Sequence, residues 1–447
     1  MNDNARLKLA IIGVCLTSAM GGIIYSEFNL AMASIKSALN VSLVDLQWII
    51  NAYGIVICGV LVLFGRLGDV IGRKKLFLIG LMILALAMLG TGLAQHLGLI
   101  IACQVLNAIA SAIIMPVSQA LITNLYPAER RSKAIGIWAG STGIALGLGP
   151  FYAGLVIHFI SWRWVFLLNV PVILISSLLV FYFCPDSKSD EAKPRLDWLG
   201  AGILMLAMAS LVTAIVQMDI WSLSTTLSLL AVSVLLFVTL YIVEGRVAQP
   251  IIREDLFKNR SFVFASLCNC CLLFFIWAAF FLMPLYFQTV LGYSPLDAGM
   301  VMALVTIPLV VFSFFSERTY NRFGAQRLIR VGFLCLLLSA IIQYFFNVHI
   351  NTLWIIVAAL AFGCAWGLIW NPSATKAIST LPQAHAGVAS GTFVTFQEVG
   401  GSAGLAITGS VVRAYPMLHI GYARGMLVLV SISVIGLLIS FKIRNQK

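Results

Sequence analysis

The sequence predicts an all-α integral membrane protein: fourteen transmembrane helices in two six-helix bundles that two further membrane-crossing helices join. Three observations carry this prediction. Of the 447 residues, 61% are hydrophobic and 10% are charged, which is more apolar surface than a water-soluble fold can bury. Fourteen apolar stretches are each long enough to cross a hydrocarbon core of ~30 Å at ~1.5 Å per residue. Finally, the basic residues concentrate in every second connection between these stretches.

The apolar stretches follow one another with short polar connections. In lipid a helix satisfies all backbone polar groups within one segment, so each stretch is expected to be helical. The predicted spans cover approximately residues 9–35, 46–64, 76–95, 97–124, 134–157, 164–184, 199–218, 222–243, 262–290, 297–315, 328–347, 353–374, 386–412 and 425–441.

The distribution of basic residues predicts the orientation of these spans. If the amino terminus is cytoplasmic, 28 Lys and Arg residues divide so that four remain outside: Lys36, Arg163, Arg413 and Arg424. Cytoplasmic connections of membrane proteins carry such an excess of Lys and Arg. Both termini are therefore expected in the cytoplasm. The net charge of +12 faces anionic lipid in this arrangement, so we expect no nucleic acid partner.

The chain divides into three parts. Residues 1–184 hold six spans, residues 185–261 a cytoplasmic linker plus two extra transmembrane helices, and residues 262–447 six more spans. Residues 65–75, after the second span, and residues 316–327, after the tenth, share a glycine and clustered basic side chains. Such duplication is typical of secondary transporters, which bind substrate between their halves near mid-membrane.

Two motifs carry a resemblance to a known family. Residues 65–75 read Gly-Arg-Leu-Gly-Asp-Val-Ile-Gly-Arg-Lys-Lys, and the fifth span contains a run of small residues that ends in Gly149-Pro150 and Gly154. With Ser161-Trp162-Arg163-Trp164 before the sixth span, this chain resembles the major facilitator superfamily, and specifically its fourteen-span drug:proton antiporter branch of multidrug efflux proteins.

The resemblance implies a secondary active transporter, not an enzyme, in a bacterial cytoplasmic (inner) membrane. It implies proton-coupled efflux of amphipathic or cationic small molecules by alternating access. The expected partners are a small-molecule substrate, protons, the lipid bilayer and, in a two-membrane bacterium, a periplasmic adaptor protein. The conformational motifs would be formed by Gly65, Asp69, Gly72 and Arg73, which latch the bundles, and by Gly136, Gly149, Pro150 and Gly154, which close the seam between them.

The sequence departs from this branch at two positions used in proton coupling. The first span has Ile24 where the branch has an Asp, and the fourth span has Gln104 where it has an Arg. Two other carboxyls, Glu27 and Glu398, fall well inside predicted spans. Because a carboxyl in lipid is costly unless it is paired or protonated, both are candidates for proton coupling or for binding a cationic substrate. The alternative is a carboxyl that merely bonds Gln or Asn beside a wet cavity.

Polar and aromatic residues in the spans complete the candidate site. Asn29, Gln104, Asn107 and Gln397 are the polar candidates. The aromatic faces and amides that suit amphipathic or cationic ligands are Tyr25, Trp48, Asn51, Tyr53, Trp277, Gln288, Trp366, Trp370, Asn371 and Phe393. No phosphate-binding loop and no metal-ligand spacing occur, so no cofactor is expected. Three other functions stay open: a dedicated exporter of one metabolite or siderophore, a nutrient importer, and a transport-inactive membrane sensor.

Overall fold

Every regular element in the described part of the protein is a helix. The computed structural model describes residues 3–125, 131–185, 197–218, 220–247, 254–379 and 386–443. The helices are α1 (Asp3–Leu39), α2 (Leu43–Ile71), α3 (Arg73–Gly92), α4 (Leu97–Asn124), α5 (Arg131–Phe159), α6 (Trp162–Leu167), α7 (Asn169–Phe183), α8 (Trp198–Val216), α9 (Leu223–Glu244), α10 (Glu254–Lys258), α11 (Arg260–Thr289), α12 (Pro295–Phe314), α13 (Ser316–Tyr344), α14 (Thr352–Ser379), α15 (Ala386–Arg413) and α16 (Leu418–Ser440).

The helices confirm the predicted class of fold. Within the described ranges, 13 segments are long and apolar enough to cross a membrane, and α6 with α7 forms one of them. The remaining long helix, α15, is richer in Gly, Ser and Thr and is therefore less apolar. It packs against α2, α11 and α16, which shield its polar groups from lipid. With α15, the long segments match the fourteen predicted spans.

The hydrogen bonds of the sixth span are interrupted, whereas the sequence predicted one continuous helix over residues 164–184. Leu168 separates α6 from α7. Pro171 lies in the first turn of α7 and has no N–H to donate to the carbonyl oxygen of Leu167, which a continuous helix would require. The break places Asn169 at the start of α7.

The motif at residues 65–75 is almost entirely helical, which corrects the predicted loop. α2 continues to Ile71 and α3 begins at Arg73, so that Gly72 alone, with φ 99°, leaves the helical conformation. In the second copy of the repeat, Gly324 has φ 74° and breaks α13. Positive φ values favour glycine because it has no Cβ. The two copies thus share a glycine with positive φ, although most of their side chains differ.

The helices pack in two groups. α1–α7 contact chiefly one another, and so do α11 and α13–α16, while α12 contacts α5 as extensively as it contacts its own group. Between the groups, α5 packs on α12, α2 on α15 and α1 on α11. α8 lies against both α2 and α15, and α9 packs on α8. Nearly all of α11 is enclosed, whereas α9 faces outward along most of its length. The domain boundaries at residues 184 and 262 stay predictions.

We call the end of the structure at the α1–α2 connection the distal end. The alternating helix directions place the start of α1 and the end of α16 at the opposite, proximal end. α2 and α15 run antiparallel, so the distal part of α2 faces the last turns of α15.

Candidate functional site

An indole ring lies where the two helix groups meet. Trp277 of α11 is 4% exposed, and it lies between Gly54 of α2 and Gly401 of α15. A Cβ on Gly54 would come within 2.9 Å of the ring, and one on Gly401 within 2.6 Å. Both distances are far below ordinary van der Waals contact. The two glycines therefore let α2 and α15 close onto the ring.

The carboxyl of Glu398 lies in the same region, one turn of α15 from Gly401. It interacts electrostatically with the hydroxyls of Tyr25 on α1 and Tyr53 on α2, and with the thiol of Cys58. Its Oε2 is enclosed and has no hydrogen-bond partner among the described residues. No cationic side chain in those residues pairs with it. The structure thus brings one predicted carboxyl together with three predicted aromatic residues, between helices of both groups.

A cluster of amides adjoins Glu398 on the side of the second helix group. Gln397 Nε2 donates to Asn269 Oδ1 at 2.7 Å, and Asn269 Nδ2 donates to Ser373 Oγ at 2.6 Å. Trp370, whose carbonyl oxygen accepts from Ser373, borders this cluster. Sequence reasoning missed Asn269, although a lone amide in the apolar run of α11 is costly unless bonded.

The polar candidates on α4 form a ladder that leads to Tyr53. Asn107 Nδ2 donates to Gln104 Oε1 at 2.9 Å, and Ser111 Oγ donates to Asn107 Oδ1 at 3.4 Å. Ser111 in turn bonds the side chain of Tyr53. The predicted pair Gln104 and Asn107 therefore reaches the central carboxyl indirectly, through one serine and one tyrosine.

Asn29 lies one turn beyond Tyr25 on the same face of α1. Its Nδ2 donates to the carbonyl oxygen of Tyr25 at 3.2 Å. It is buried, with 8% of its surface exposed, on the distal side of Tyr25.

Glu27 lies apart from this central site. It follows Tyr25 by two residues, which rotates its side chain by about 200° around α1. Asn169 Nδ2 donates to Glu27 Oε1 at 2.7 Å, and Met88 of α3 borders the pair. The structure therefore separates the two carboxyls that the sequence grouped together: Glu398 faces the junction of the groups, and Glu27 faces the interior of the first group.

The small residues of α5 pack on both neighbouring helices. Gly149 lies against Ser26 of α1 with no room for a Cβ. On the other side, a Cβ on Gly154 would lie 2.6 Å from the carbonyl oxygen of Pro295, and one on Gly299 would lie 2.5 Å from that of Pro150. This places two of the predicted seam residues, Pro150 and Gly154, at the contact between α5 and α12, and a third, Gly149, at the contact between α5 and α1. Gly136 lies in α5, but its surroundings fall outside the described residues.

The motif at the proximal end is described in part. Gly72 forms the break described above, and the Cγ of Arg73 would lie 3.7 Å from a Cβ on Gly68. Gly65 and Asp69 lie in α2, but their side-chain positions are outside the described residues. The predicted latch therefore stays a prediction.

At the distal end, polar bonds join the two groups. Gln47 Nε2 of α2 donates to the carbonyl oxygen of Leu405 at 2.9 Å, and the Arg413 guanidinium donates to Gln47 Oε1. Arg413 also donates to the carbonyl oxygen of Val216, the last residue of α8, at 2.6 Å. Gln288 Nε2 of α11 donates to the carbonyl oxygen of Leu30 at 3.1 Å. Sequence reasoning counted Arg413 as a charge and did not foresee this junction.

The described residues contain no group of three or more His, Cys, Asp or Glu side chains that could hold a metal ion. The chemistry available at the centre is therefore that of one carboxyl, two phenols, an indole and a set of amides. Such a site can exchange a proton, pair with a cation and stack against planar or apolar molecules.

The chain is similar to transport proteins along most of its length. The profile of the Major Facilitator Superfamily matches residues 10–405. Riboflavin transporter RibZ of Clostridioides difficile is 25% identical over 90% of this chain and 87% of its own length. Multidrug resistance protein Stp of Mycobacterium tuberculosis is 27% identical over 87% of this chain and 72% of its own. The crystal structure of nucleoside transporter NupG covers 100% of both chains with a TM-score of 0.66 and 15% identity, a likeness of fold alone.

Proposed function

Because this chain belongs to the major facilitator superfamily of transporters, we propose that it is a proton-coupled antiporter that exports amphipathic or cationic small molecules. The observation that carries the proposal is the position of Glu398. Its carboxyl lies between the helix groups with Tyr25, Tyr53 and Trp277 around it and no cationic partner in the described residues. A multidrug resistance protein among the relatives supports efflux as the direction.

The proposed coupling is a competition for one carboxyl. A buried carboxylate is stable when a proton neutralises it or when a cation pairs with it, and less stable when it has neither. A cationic substrate that enters from the cytoplasm would therefore displace the proton from Glu398. A proton that enters from outside would in turn release the substrate. The faces of Trp277, Tyr25 and Tyr53 would hold the apolar and cationic parts of the substrate.

Alternating access requires the distal seam between α2 and α15 to open. Three polar atoms in this seam are buried without a hydrogen-bond partner among the described residues: both side-chain polar atoms of Asn51, and Ser402 Oγ. Each such atom costs ~1–3 kcal/mol, which water recovers when the helices separate. This cost offsets part of the closing energy from the Gln47 and Arg413 bonds. We infer that the seam is balanced between closed and open states.

The conformational motifs would serve the same cycle. We propose that Asp69 and Arg73 stabilise closure at the proximal end, that Pro150 and Gly154 let α5 slide on α12, and that Gly149 lets α5 pack closely on α1. We further propose that the chain lies in a bacterial cytoplasmic membrane with both termini in the cytoplasm. Reporter fusions at the carboxyl terminus test this orientation, since activity of a reporter that folds only outside the cytoplasm would contradict it.

The coupling is tested in inside-out vesicles. A cationic amphipathic dye should enter the lumen and make it more alkaline when the wild-type protein is present, because each exported dye molecule exchanges for protons that leave the lumen. Glu398→Gln keeps the shape of the side chain but cannot ionise, so it should abolish substrate-dependent proton movement. Glu27→Gln is the matched control, because it makes the same change outside the central site. Unchanged proton movement in the Glu398 variant would refute the proposal.

A second candidate is the transport of one planar metabolite. Stacked against Trp277, a flat heterocycle could bond its edge to the amide cluster of Asn269 and Gln397. The riboflavin transporter among the relatives supports this candidate. It is tested by riboflavin uptake and efflux in a strain that lacks its own transporter. Movement of riboflavin that survives Glu398→Gln would favour this candidate over the antiporter.

A further inference from the structure

Glu27 and Asn169 share one hydrogen bond and leave one acceptor each without a donor. Asn169 Nδ2 donates to Glu27 Oε1 at 2.7 Å, and the side chains are 1% and 0% exposed. Glu27 Oε2 and Asn169 Oδ1, the second oxygen of each group, are both enclosed and have no hydrogen-bond donor among the described residues. Leaving two such oxygens unpaired is costly.

In the part of the chain that the structure describes, no cationic side chain and no second donor bonds the pair. On α3 the nearest group is Met88, whose sulfur lies 3.9 Å from Asn169 Nδ2. The titratable group that faces the pair from α5 is Tyr152, and its hydroxyl donates to the carbonyl oxygen of Val165 at 3.3 Å. Arg163 of α6 donates to the carbonyl oxygen of Ala94 and stacks on Trp162. An ionised Glu27 would therefore be uncompensated.

We propose that Glu27 keeps its proton and forms a two-bond ring with Asn169. Glu27 Oε2–H donates to Asn169 Oδ1 while Asn169 Nδ2–H donates to Glu27 Oε1. A carboxylic acid and a primary amide each carry a donor and an acceptor on the same carbon atom, so the two planar groups are complementary. A single proton thus satisfies both oxygens and removes the charge.

The ring would fix the interrupted sixth span to the first. Asn169 is the first residue of α7, directly after the break at Leu168. Glu27 lies on the face of α1 opposite Tyr25. In this arrangement Glu27 is a positioning residue that holds the start of α7 against α1, and it does not exchange its proton during transport.

Infrared spectroscopy of the purified protein in lipid tests the ring. At neutral and mildly alkaline pH, the wild-type spectrum minus the Glu27→Gln spectrum should contain the C=O stretch of a protonated carboxylic acid. Asn169→Leu should shift this band to higher frequency, because the acid carbonyl loses its donor. Glu398→Gln is the matched control and should leave the band in place. A carboxylate band in the difference spectrum would overturn the proposal.

Thermal unfolding supplies a second readout. Glu27→Gln can form the equivalent ring between two amides, so it should unfold near the wild-type temperature. Glu27→Leu and Asn169→Leu, which each leave one polar group without a partner, should unfold several degrees lower. A fall for Glu27→Gln as large as that for Glu27→Leu would contradict the ring. If Glu27→Gln does not assemble, the wild-type spectrum minus the Asn169→Leu spectrum decides: it should show the acid C=O band at two frequencies with opposite sign, and the absence of this pair overturns the proposal.

Discussion

Substitution of Gly54 tests whether the contact between α2 and Trp277 determines how often the α2–α15 seam is closed. In Gly54→Ala, the added Cβ would lie 2.9 Å from the indole and closer still to Ser402 Oγ. Carbon atoms at rest are ~3.5–4.0 Å apart, so α2 must move by roughly 1 Å or the ring must leave its place. Overpacking of this kind costs ~1–3 kcal/mol.

The overpacking energy in Gly54→Ala destabilises only the closed conformation. Gly54 belongs to the first helix group and Trp277 to the second, so separation of the groups relieves the clash. A bias of ~1–3 kcal/mol corresponds to a shift of ~5–150-fold in the ratio of open to closed molecules. Gly401→Ala makes a similar clash with the same ring, but within the second group, so it should lower stability without shifting that ratio.

Distances between spin labels at the distal ends of α2 and α15 measure the ratio. We expect a larger population of long distances in Gly54→Ala than in the wild type. Gly143→Ala is the matched control, because no atom lies within 4 Å of its Cβ position. That change should be neutral or stabilise the helix by up to ~1 kcal/mol. Equal distance distributions in Gly54→Ala and Gly143→Ala would refute the reasoning.

Three further predictions concern other parts of the molecule. Arg413→Gln removes donors to Gln47 and to the carbonyl oxygen of Val216, so it should also favour the open distal seam, by ~1–3 kcal/mol. The same label distances measure this shift. Arg424→Gln, which changes another predicted outer charge, is the control and should leave the distances unchanged. Gly72→Ala and Gly324→Ala place a side chain at positive φ and should each lower thermal stability by ~1–3 kcal/mol, whereas Gly202→Ala should not. Binding of a cationic dye should weaken as the pH falls, because protonation neutralises Glu398, and fluorescence titration of Glu398→Gln should show weak binding with little pH dependence.

The sequence predicts the helices well because hydropathy and charge report directly on the membrane. It predicts helix ends poorly at the surface of the membrane. A helix ends where its backbone hydrogen bonds end, and not where its side chains become polar. α2 therefore continues past Arg66 to Ile71 and ends only at Gly72, which has a positive φ.

The site was predictable only in part, because its members are brought together by helix rotation. Glu398 stands out as a carboxyl in an apolar span, and Tyr25, Tyr53 and Trp277 stand out as amphipathic aromatics. No sequence rule indicates that these four side chains meet, or that Glu27 turns away from them towards Asn169. Asn269, which lies between cysteines in the sequence, was not predicted, although it links Gln397 to Ser373.

The position of α8 makes the two long seams of the molecule unequal towards the lipid. Met205 of α8 fills the space beside Gly59 of α2, and Ser410 of α15 donates to the carbonyl oxygen of Ile215 at 3.0 Å. α8 thus covers the α2–α15 seam. At the α5–α12 seam, Leu148 and Ile307 are 57% and 52% exposed and meet lipid directly. The two seams therefore differ in their neighbours: α8 separates the α2–α15 seam from lipid, whereas side chains of α5 and α12 themselves border it.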